Sequence, residues 1–180
     1  KRQLPIKRKS LVAFLKKFDT KYVNGISKLV DEASDQAWAE TDCLACANCC
    51  KVMTPTFTKE DLKRIAGHLN MSEAAFYEKW LKTDEDNGDK VNKIQPCQFL
   101  DLKTNMCSIY EIRPEDCEKF PHFKRKPFAD FNHIHEQNIE YCPATFSFIT
   151  KLQEKIEKEF VWECLLFNNY FQWFAQKIFL

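Results

Sequence analysis

Between residues 43 and 50 the chain reads Cys43-Leu-Ala-Cys46-Ala-Asn-Cys49-Cys50. The double Cys-x-x-Cys spacing lets three sulfurs converge on one centre from a single loop. Cys49 and Cys50 are adjacent, and neighbouring side chains point in different directions, so this pair can serve two metals or bridge them. Because thiolates are soft, strong metal ligands, the run predicts a metal site that also organises the fold.

Four more cysteines complete the pattern further along the chain. Cys97, Cys107 and Cys117 are each separated from the next by nine residues, and Cys142 follows. Eight thiolates can close two four-coordinate sites, or they can hold a compact multinuclear cluster with bridging sulfurs. The predicted metal ligands are therefore Cys43, Cys46, Cys49, Cys50, Cys97, Cys107, Cys117 and Cys142.

The spacing suits two kinds of metal centre. Structural zinc uses Cys-x-x-Cys pairs, and the bacterial iron–sulfur run uses the same double spacing. We expect zinc as the cofactor, with iron or an iron–sulfur cluster as the alternative. Two divalent ions held by eight thiolates keep a net negative charge, so donors and cations must surround them. The candidate cations near the cysteines are Arg113, Lys119, Lys124, Arg125 and Lys126. Arg113 is the one we expect to support the centre, because a planar guanidinium donates to several sulfurs at once.

Composition narrows the class of protein. The 180 residues, of which 44% are hydrophobic, suit one domain with a substantial core. The 27 basic and 26 acidic residues nearly cancel, which argues against a nucleic-acid partner. A Gly-rich phosphate loop, a dinucleotide-binding fingerprint and a Ser/His/Asp signal are all missing from the sequence.

Cysteine usage predicts the compartment. The nine cysteines are odd in number and include an adjacent pair, which fits a disulfide framework badly. The sequence shows no signal-peptide pattern. We therefore expect a cytoplasmic protein whose thiols stay reduced and free for metal.

Hydrophobic periodicity and cap signals predict a mainly α fold. Helices are expected at 10–18, capped by Ser10, at 22–39, and after the caps Thr58 and Ser72. Residues 83–93 are predicted to be a loop, 99–110 a small β-hairpin with Asn105 at a positive φ, and 118–141 irregular.

The last predicted helix, about residues 145–178, carries an apolar seam and extra aromatic residues. It packs on the core or, alternatively, forms a homodimer interface. Its polar residues interrupt it too often for a membrane span. The predicted architecture is a metal-stabilised single domain with three parts: N-terminal helices (1–42), a cysteine-cluster metal-binding domain (43–143) and a C-terminal helix (144–180) packed on the same domain.

Several motifs in combination resemble one known family. They are Cys43-x2-Cys46-x2-Cys49-Cys50, Pro96-Cys97-Gln-Phe99-Leu100, Cys107-Ser-Ile109-Tyr110-Glu-x-Arg113-Pro114-x2-Cys117 and Phe120-Pro121. Together they resemble the CxxCxxCC family, a zinc- or iron-chelating domain, over about residues 43–143. The resemblance implies a cysteine-bound metal. A related cysteine cluster occurs in flagellin lysine N-methylases, which implies an enzyme role for some relatives.

The ninth cysteine and three of the histidines belong to no recognisable motif. Cys164 falls on the apolar seam and is expected to be a buried thiol rather than a ninth ligand. His122 and His133-x-His135 are possible metal ligands, although ordinary histidines are the expectation. The expected function is metal binding by the cysteine cluster. The alternative is a redox or group-transfer enzyme, with His122, Glu115, Asp116 and Tyr110 available to line its site.

Overall fold

The computed structural model describes residues 3–17 and 26–159. Its helices are α1 (Gln3–Lys17), α2 (Ile26–Ala39), α3 (Cys43–Cys46), α4 (Asn48–Val52), α5 (Lys59–His68), α6 (Glu73–Trp80), α7 (Glu115–Lys119), α8 (Asn132–Tyr141) and α9 (143–159). Two strands, β1 (Leu81–Thr83) and β2 (Lys90–Asn92), pair antiparallel. They lie between α6 and residues 97–117, which contain Cys97, Cys107 and Cys117 and are called the cysteine-rich segment below. The mainly helical class with a small hairpin is confirmed.

Two hydrophobic cores lie on either side of the cysteines. The first core joins helices α1, α2, α8 and α9 with the segment around Phe123 and Phe128. The second core joins α5 and α6 with residues of the later cysteine-rich segment, including Phe99 and Ile109. Cys142 packs against the first core, whereas Cys97 and Cys107 pack against the second. The thiols therefore lie where the two cores meet.

The caps predicted for the middle helices are present. Thr58 and Asp61 form a reciprocal capping box at the start of α5, and the Ser72 side chain accepts from the Ala75 N–H at the start of α6. The predicted seam of the last helix is buried at Ile149, Leu152 and Ile156.

Helix α1 begins earlier than predicted. Ser10 lies inside the helix and is exposed, so the prediction of Ser10 as its cap is wrong. Pro5 falls in the first turn, where a missing N–H costs no helical hydrogen bond.

The small sheet also differs in place from the prediction. It forms at 81–92, within and beside the segment predicted to be a loop. Residues 99–110 form an isolated bridge between Leu100 and Cys107 instead of a two-stranded hairpin, although Asn105 does take the predicted positive φ, at 59°. Segment 118–141 is not irregular throughout, because α8 occupies its end.

Among the described helices, none is both long and apolar enough to cross a membrane. The predicted helix beyond residue 159, the thiol of Cys164 and the proposed dimer interface lie outside the described residues.

Candidate metal centre

The cysteine run is built from two short helices joined at Ala47. Asp42 caps α3 by accepting from the Ala45 N–H at 3.0 Å. Ala47 is left-handed, with φ 45°, and both ends α3 and precedes α4. This turn lets Cys43 and Cys46 on one helix, and Cys49 and Cys50 on the next, face a shared region.

The eight predicted ligands line two adjoining cavities. A small cavity is bordered by four thiols, which we call the outer group: Cys43, Cys46, Cys49 and Cys142. A larger cavity, of about 450 Å³, is bordered by a second four, which we call the inner group: Cys50, Cys97, Cys107 and Cys117. Cys43 and Cys49 also line the larger cavity, so the two groups share a wall.

Hydrogen bonds to backbone carbonyls, from one backbone N–H and two asparagine side chains, draw the separate segments together around these groups. The Cys97 N–H donates to the Cys50 carbonyl at 2.9 Å, which fixes two inner cysteines side by side. The Asn48 amide donates to the Tyr141 carbonyl at 2.6 Å, next to Cys142. The Asn105 amide reaches the Ala45 carbonyl at 2.9 Å. The chain thus gathers thiols that are nearly a hundred residues apart in sequence.

A second set of bonds fixes the segment that carries Arg113 and Cys117. The buried Asp61 carboxylate accepts from the Glu115 N–H at 3.1 Å and from the Arg64 guanidinium at 2.5 Å. Arg64 also donates to the Ile112 and Arg113 carbonyls. Helix α5 is therefore tied to the start of α7.

The donor set suits a soft metal. All eight cysteines are free thiols. The Cys49 and Cys50 sulfurs are 3.9 Å apart and share a hydrogen bond. Within the described ranges, no three Cys, His, Asp or Glu side chains stand close enough to hold a metal ion as they are. Binding therefore requires the thiols of each group to turn towards a common point.

Burial and mutual repulsion disfavour the thiolate forms of the clustered cysteines unless a cation binds among them. Burial is the largest cause that raises the pKa of the Cys43, Cys97, Cys107 and Cys117 thiols, and neighbouring thiolates raise it further. Cys49 and Cys50 share a hydrogen bond, which raises the pKa of Cys49 and lowers that of Cys50. A bound cation would remove this mutual repulsion and favour the thiolates.

Backbone N–H groups already aim at two of the sulfurs. The N–H groups of Phe99 and Ile109, each two residues after a cysteine, hydrogen-bond Cys97 and Cys107 and partly offset the rise in their pKa. Such donors stabilise thiolate charge in the same way that outer hydrogen bonds support metal ligands.

Two positively charged side chains lower the pKa of nearby thiols. Arg113 lines the larger cavity, lies 4.1 Å from the centre of the Tyr110 ring, and lowers the pKa of Cys107 against the dominant effect of burial. Lys51 was missed by the sequence analysis. Its ammonium donates to the Cys46 carbonyl at 3.3 Å, and its charge lowers the pKa of Cys50. The available signal was its position directly after Cys50.

Three other candidate cations have partners elsewhere. Lys119 pairs with Glu115, Lys124 lies 3.4 Å from Asp35, and Arg125 lies over the Phe131 ring.

The three candidate histidines differ in their burial and in whether they line the larger cavity. His133 and His135 lie on helix α8, where His133 is exposed and His135 is packed among Phe123, Phe128 and Phe148. Residues two apart on a helix face different directions, so this pair does not form a chelate. His122 is buried, lines the larger cavity, and has Nε2 3.2 Å from Asp116. Glu115, placed by the sequence analysis in a possible site, is not among the described residues that line the cavity, whereas Tyr110 and Asp116 are.

A helical domain that gathers eight free thiols where two cores meet belongs to the class of cysteine-rich metal-binding proteins. The sequence profile of the CxxCxxCC family, described as "Putative zinc- or iron-chelating domain", matches residues 42–143, and the chain belongs to this family.

One similar protein is an uncharacterized protein of Methanocaldococcus jannaschii. It is 32% identical over 107 residues, which are 59% of this chain and 50% of that protein. The chain therefore spans about half the length of this curated relative. No solved structure matches the chain.

Proposed function

We propose that the protein binds two metal ions, one in the outer group and one in the inner group of four thiols. The observation that carries this proposal is the arrangement of the eight cysteines around two adjoining cavities. The outer four line the small cavity, and the inner four line the larger one, which Cys43 and Cys49 also border. In this proposal the two adjacent cysteines would serve different centres, Cys49 the outer one and Cys50 the inner one.

Zinc is the metal we propose. Closed sites of four cysteines are typical of structural zinc, and thiolates are the donors each group offers. Two zinc ions with eight thiolates would keep a negative charge, which Arg113, Lys51 and the N–H donors at Phe99 and Ile109 would offset. An iron–sulfur cluster is the alternative, because it uses the same ligands.

The proposed role of the metal is to stabilise the fold. Residues 93–131 contain little regular structure beyond the five-residue helix α7 and short 3₁₀ turns. Metal bonds would add to the contacts that Phe99, Ile109, Phe123 and Phe128 of this segment make with the two cores. We further propose that the protein works in a reducing compartment such as the cytoplasm, where the thiols remain free.

A second candidate function is catalysis at the inner centre. The observation that favours it is the 450 Å³ cavity, which offers more space beside the inner thiols than a structural ion needs. A redox or group-transfer reaction is the chemistry such a centre would support.

Cysteine replacement tests the division into two groups. Cys142→Ser removes an outer ligand and Cys117→Ser an inner one, so each variant should lose one of two bound metal equivalents, and the double variant should lose both. Cys164→Ala, outside both groups, is the matched control and should keep both equivalents. Metal content per folded chain is measured by elemental analysis. If either single replacement removes all the metal, the eight thiols form one shared cluster instead.

A further inference from the structure

Asn92 is a buried polar residue at the end of strand β2, a few residues before Cys97. It is 3% exposed, and the strand pairs it with Leu81. Its backbone N–H donates to the Thr54 hydroxyl at 2.9 Å, and the N–H of the next residue, Lys93, donates to the Trp80 carbonyl at 2.9 Å. The backbone on both sides of the Asn92 side chain is therefore fixed.

The Asn92 side chain is oriented by Gln98, the residue that follows Cys97. The Gln98 Nε2 donates to the Asn92 Oδ1 at 2.9 Å, which closes the chain between residues 92 and 98 into a short loop. An amide group carries its acceptor and its donors on opposite sides of one plane. Because Oδ1 faces Gln98, the Nδ2 donors of Asn92 are left for another acceptor.

That acceptor is the Cys97 sulfur. The Asn92 Nδ2 is buried, and within the described part of the chain no partner meets it in full hydrogen-bond geometry. The side chain does act on Cys97, however. Burial is the largest influence on this thiol and raises its pKa, whereas hydrogen bonding by the Phe99 N–H and, more weakly, by the Asn92 side chain lowers it. Buried donors are normally satisfied, so the weak contact with Cys97 is the one to strengthen.

From this arrangement we propose that Asn92 is a positioning residue of the inner centre, whose Nδ2 group donates to the Cys97 sulfur when Cys97 binds metal. The inner thiols must turn to reach a common point, and the Cys97 thiolate is a stronger acceptor than its thiol. With the Phe99 N–H, the Asn92 amide then holds the sulfur in direction and offsets its charge. The inference rests on the proposed inner metal centre.

Cadmium-113 NMR of the full chain loaded with cadmium tests this bond directly. Cadmium is a soft ion suited to thiolate ligands, and each bound ion gives its own resonance. The inner ion should show correlations, across N–H···S bonds, to the backbone N–H protons of Phe99 and Ile109 and to the Asn92 side-chain amide. The two backbone correlations are the internal control. An inner resonance without a correlation to Asn92 would overturn the proposal.

A substitution measures what the bond contributes. Asn92→Leu removes the donor at similar volume, so it should shift the inner cadmium resonance, leave the outer one in place, and lower the metal affinity of the inner centre about tenfold or more. An unmoved inner resonance with unchanged affinity would contradict the proposal.

Asn132→Leu is the matched control. The Asn132 amide is also half-buried or better, but it donates to the Leu15 carbonyl at 3.0 Å, and Asn132 is not among the described residues that line the larger cavity. This variant should keep both resonances and both affinities. Equal losses of inner affinity in the two variants would overturn the proposal. If Asn92→Leu fails to fold, the amide correlation in the unaltered protein decides.

These outcomes separate the role of Asn92 from the proposed function. Two cadmium resonances, with no correlation from the inner ion to Asn92, would count against Asn92 alone. A folded chain that binds no cadmium would overturn the metal centres, and the role of Asn92 with them.

Discussion

Asp61 connects the second core to the cysteine-rich segment through one carboxylate. It is 2% exposed, and it accepts from the Thr58 N–H at 3.0 Å, the Thr58 hydroxyl at 2.9 Å and the Glu115 N–H at 3.1 Å. Arg64 balances its charge and donates to the two carbonyls before Pro114. The position of Arg113 and Cys117 therefore depends on a residue outside the cysteine motifs.

Asp61→Ala should lower the free energy of unfolding by about 3 kcal/mol, because it leaves buried donors without an acceptor and removes a helix cap. Urea unfolding followed by circular dichroism measures the change. Asp35→Ala is the control: Asp35 is an exposed partner of Lys124, so its loss should change stability by no more than about 0.5 kcal/mol. Similar costs for the two variants would show that the Asp61 bonds contribute little.

Arg113 is predicted to support the inner centre by its charge. Arg113→Met keeps an unbranched side chain but removes the guanidinium, which lies over the Tyr110 ring, so metal affinity should fall about tenfold or more. Lys124→Met, which removes an equal charge lying 3.4 Å from the exposed Asp35, should leave affinity nearly unchanged. Competition with a chromophoric chelator measures both. Equal losses in the two variants would indicate a general effect of net charge.

Among individual residues, the thiols could be identified from the sequence, because cysteine spacing itself encodes ligand geometry. Sequence reasoning could not identify Asn138 as a residue that lines the larger cavity, because Asn138 lies on helix α8, far along the chain from the cysteine run. His122 was visible as a candidate, but its pairing with Asp116 was not, since the left-handed backbone at His122, φ 68°, carries no glycine or asparagine signal.

Helix α8 shows why the elements around the site were harder to predict than those of the second core. Its buried face carries His135, Asn138 and Ile139, so two of the three buried residues are polar and the hydrophobic period is broken. The α5 and α6 helices, by contrast, have cap residues and apolar stripes that act locally. The β1–β2 hairpin was missed because each strand has only three residues.

His135 makes α8 sensitive to acid. Burial, assisted by the charges of His122 and His133, lowers its pKa from 6.5 to about 4. The unfolded chain therefore binds a proton at higher pH than the folded one, and stability is lost as pH falls through this interval. Between pH 7 and pH 5 the wild type should lose about 2 kcal/mol more than His135→Phe. Urea unfolding at both pH values measures this difference. Parallel losses in the two proteins would contradict the assignment to His135.

At the scale of the whole molecule, the thiols lie between two cores that have few other connections through regular structure. The first core is assembled from both ends of the described chain and the second from its middle. Sequence periodicity indicated the helices of each core, but their meeting at the cysteines depends on long-range contacts such as that between Asn48 and Tyr141.

Metal removal should therefore destabilise the segment that carries the later cysteines more than it destabilises the first core. A chelator should strip amide protection from residues 93–119, which carry Cys97, Cys107 and Cys117, before it affects the first core, whose helices pack on one another. Hydrogen exchange read by mass spectrometry, with and without chelator, measures this. An equal loss of protection in both regions would mean that the metal holds the entire domain together, and unchanged exchange would mean that it holds neither.

The most direct test of the two-centre account is the metal content of protein purified without oxygen, read together with its visible absorption. Two zinc ions per chain and no colour are the predicted result. A brown protein containing iron would contradict the choice of zinc, and a folded chain without metal would contradict the metal centres themselves.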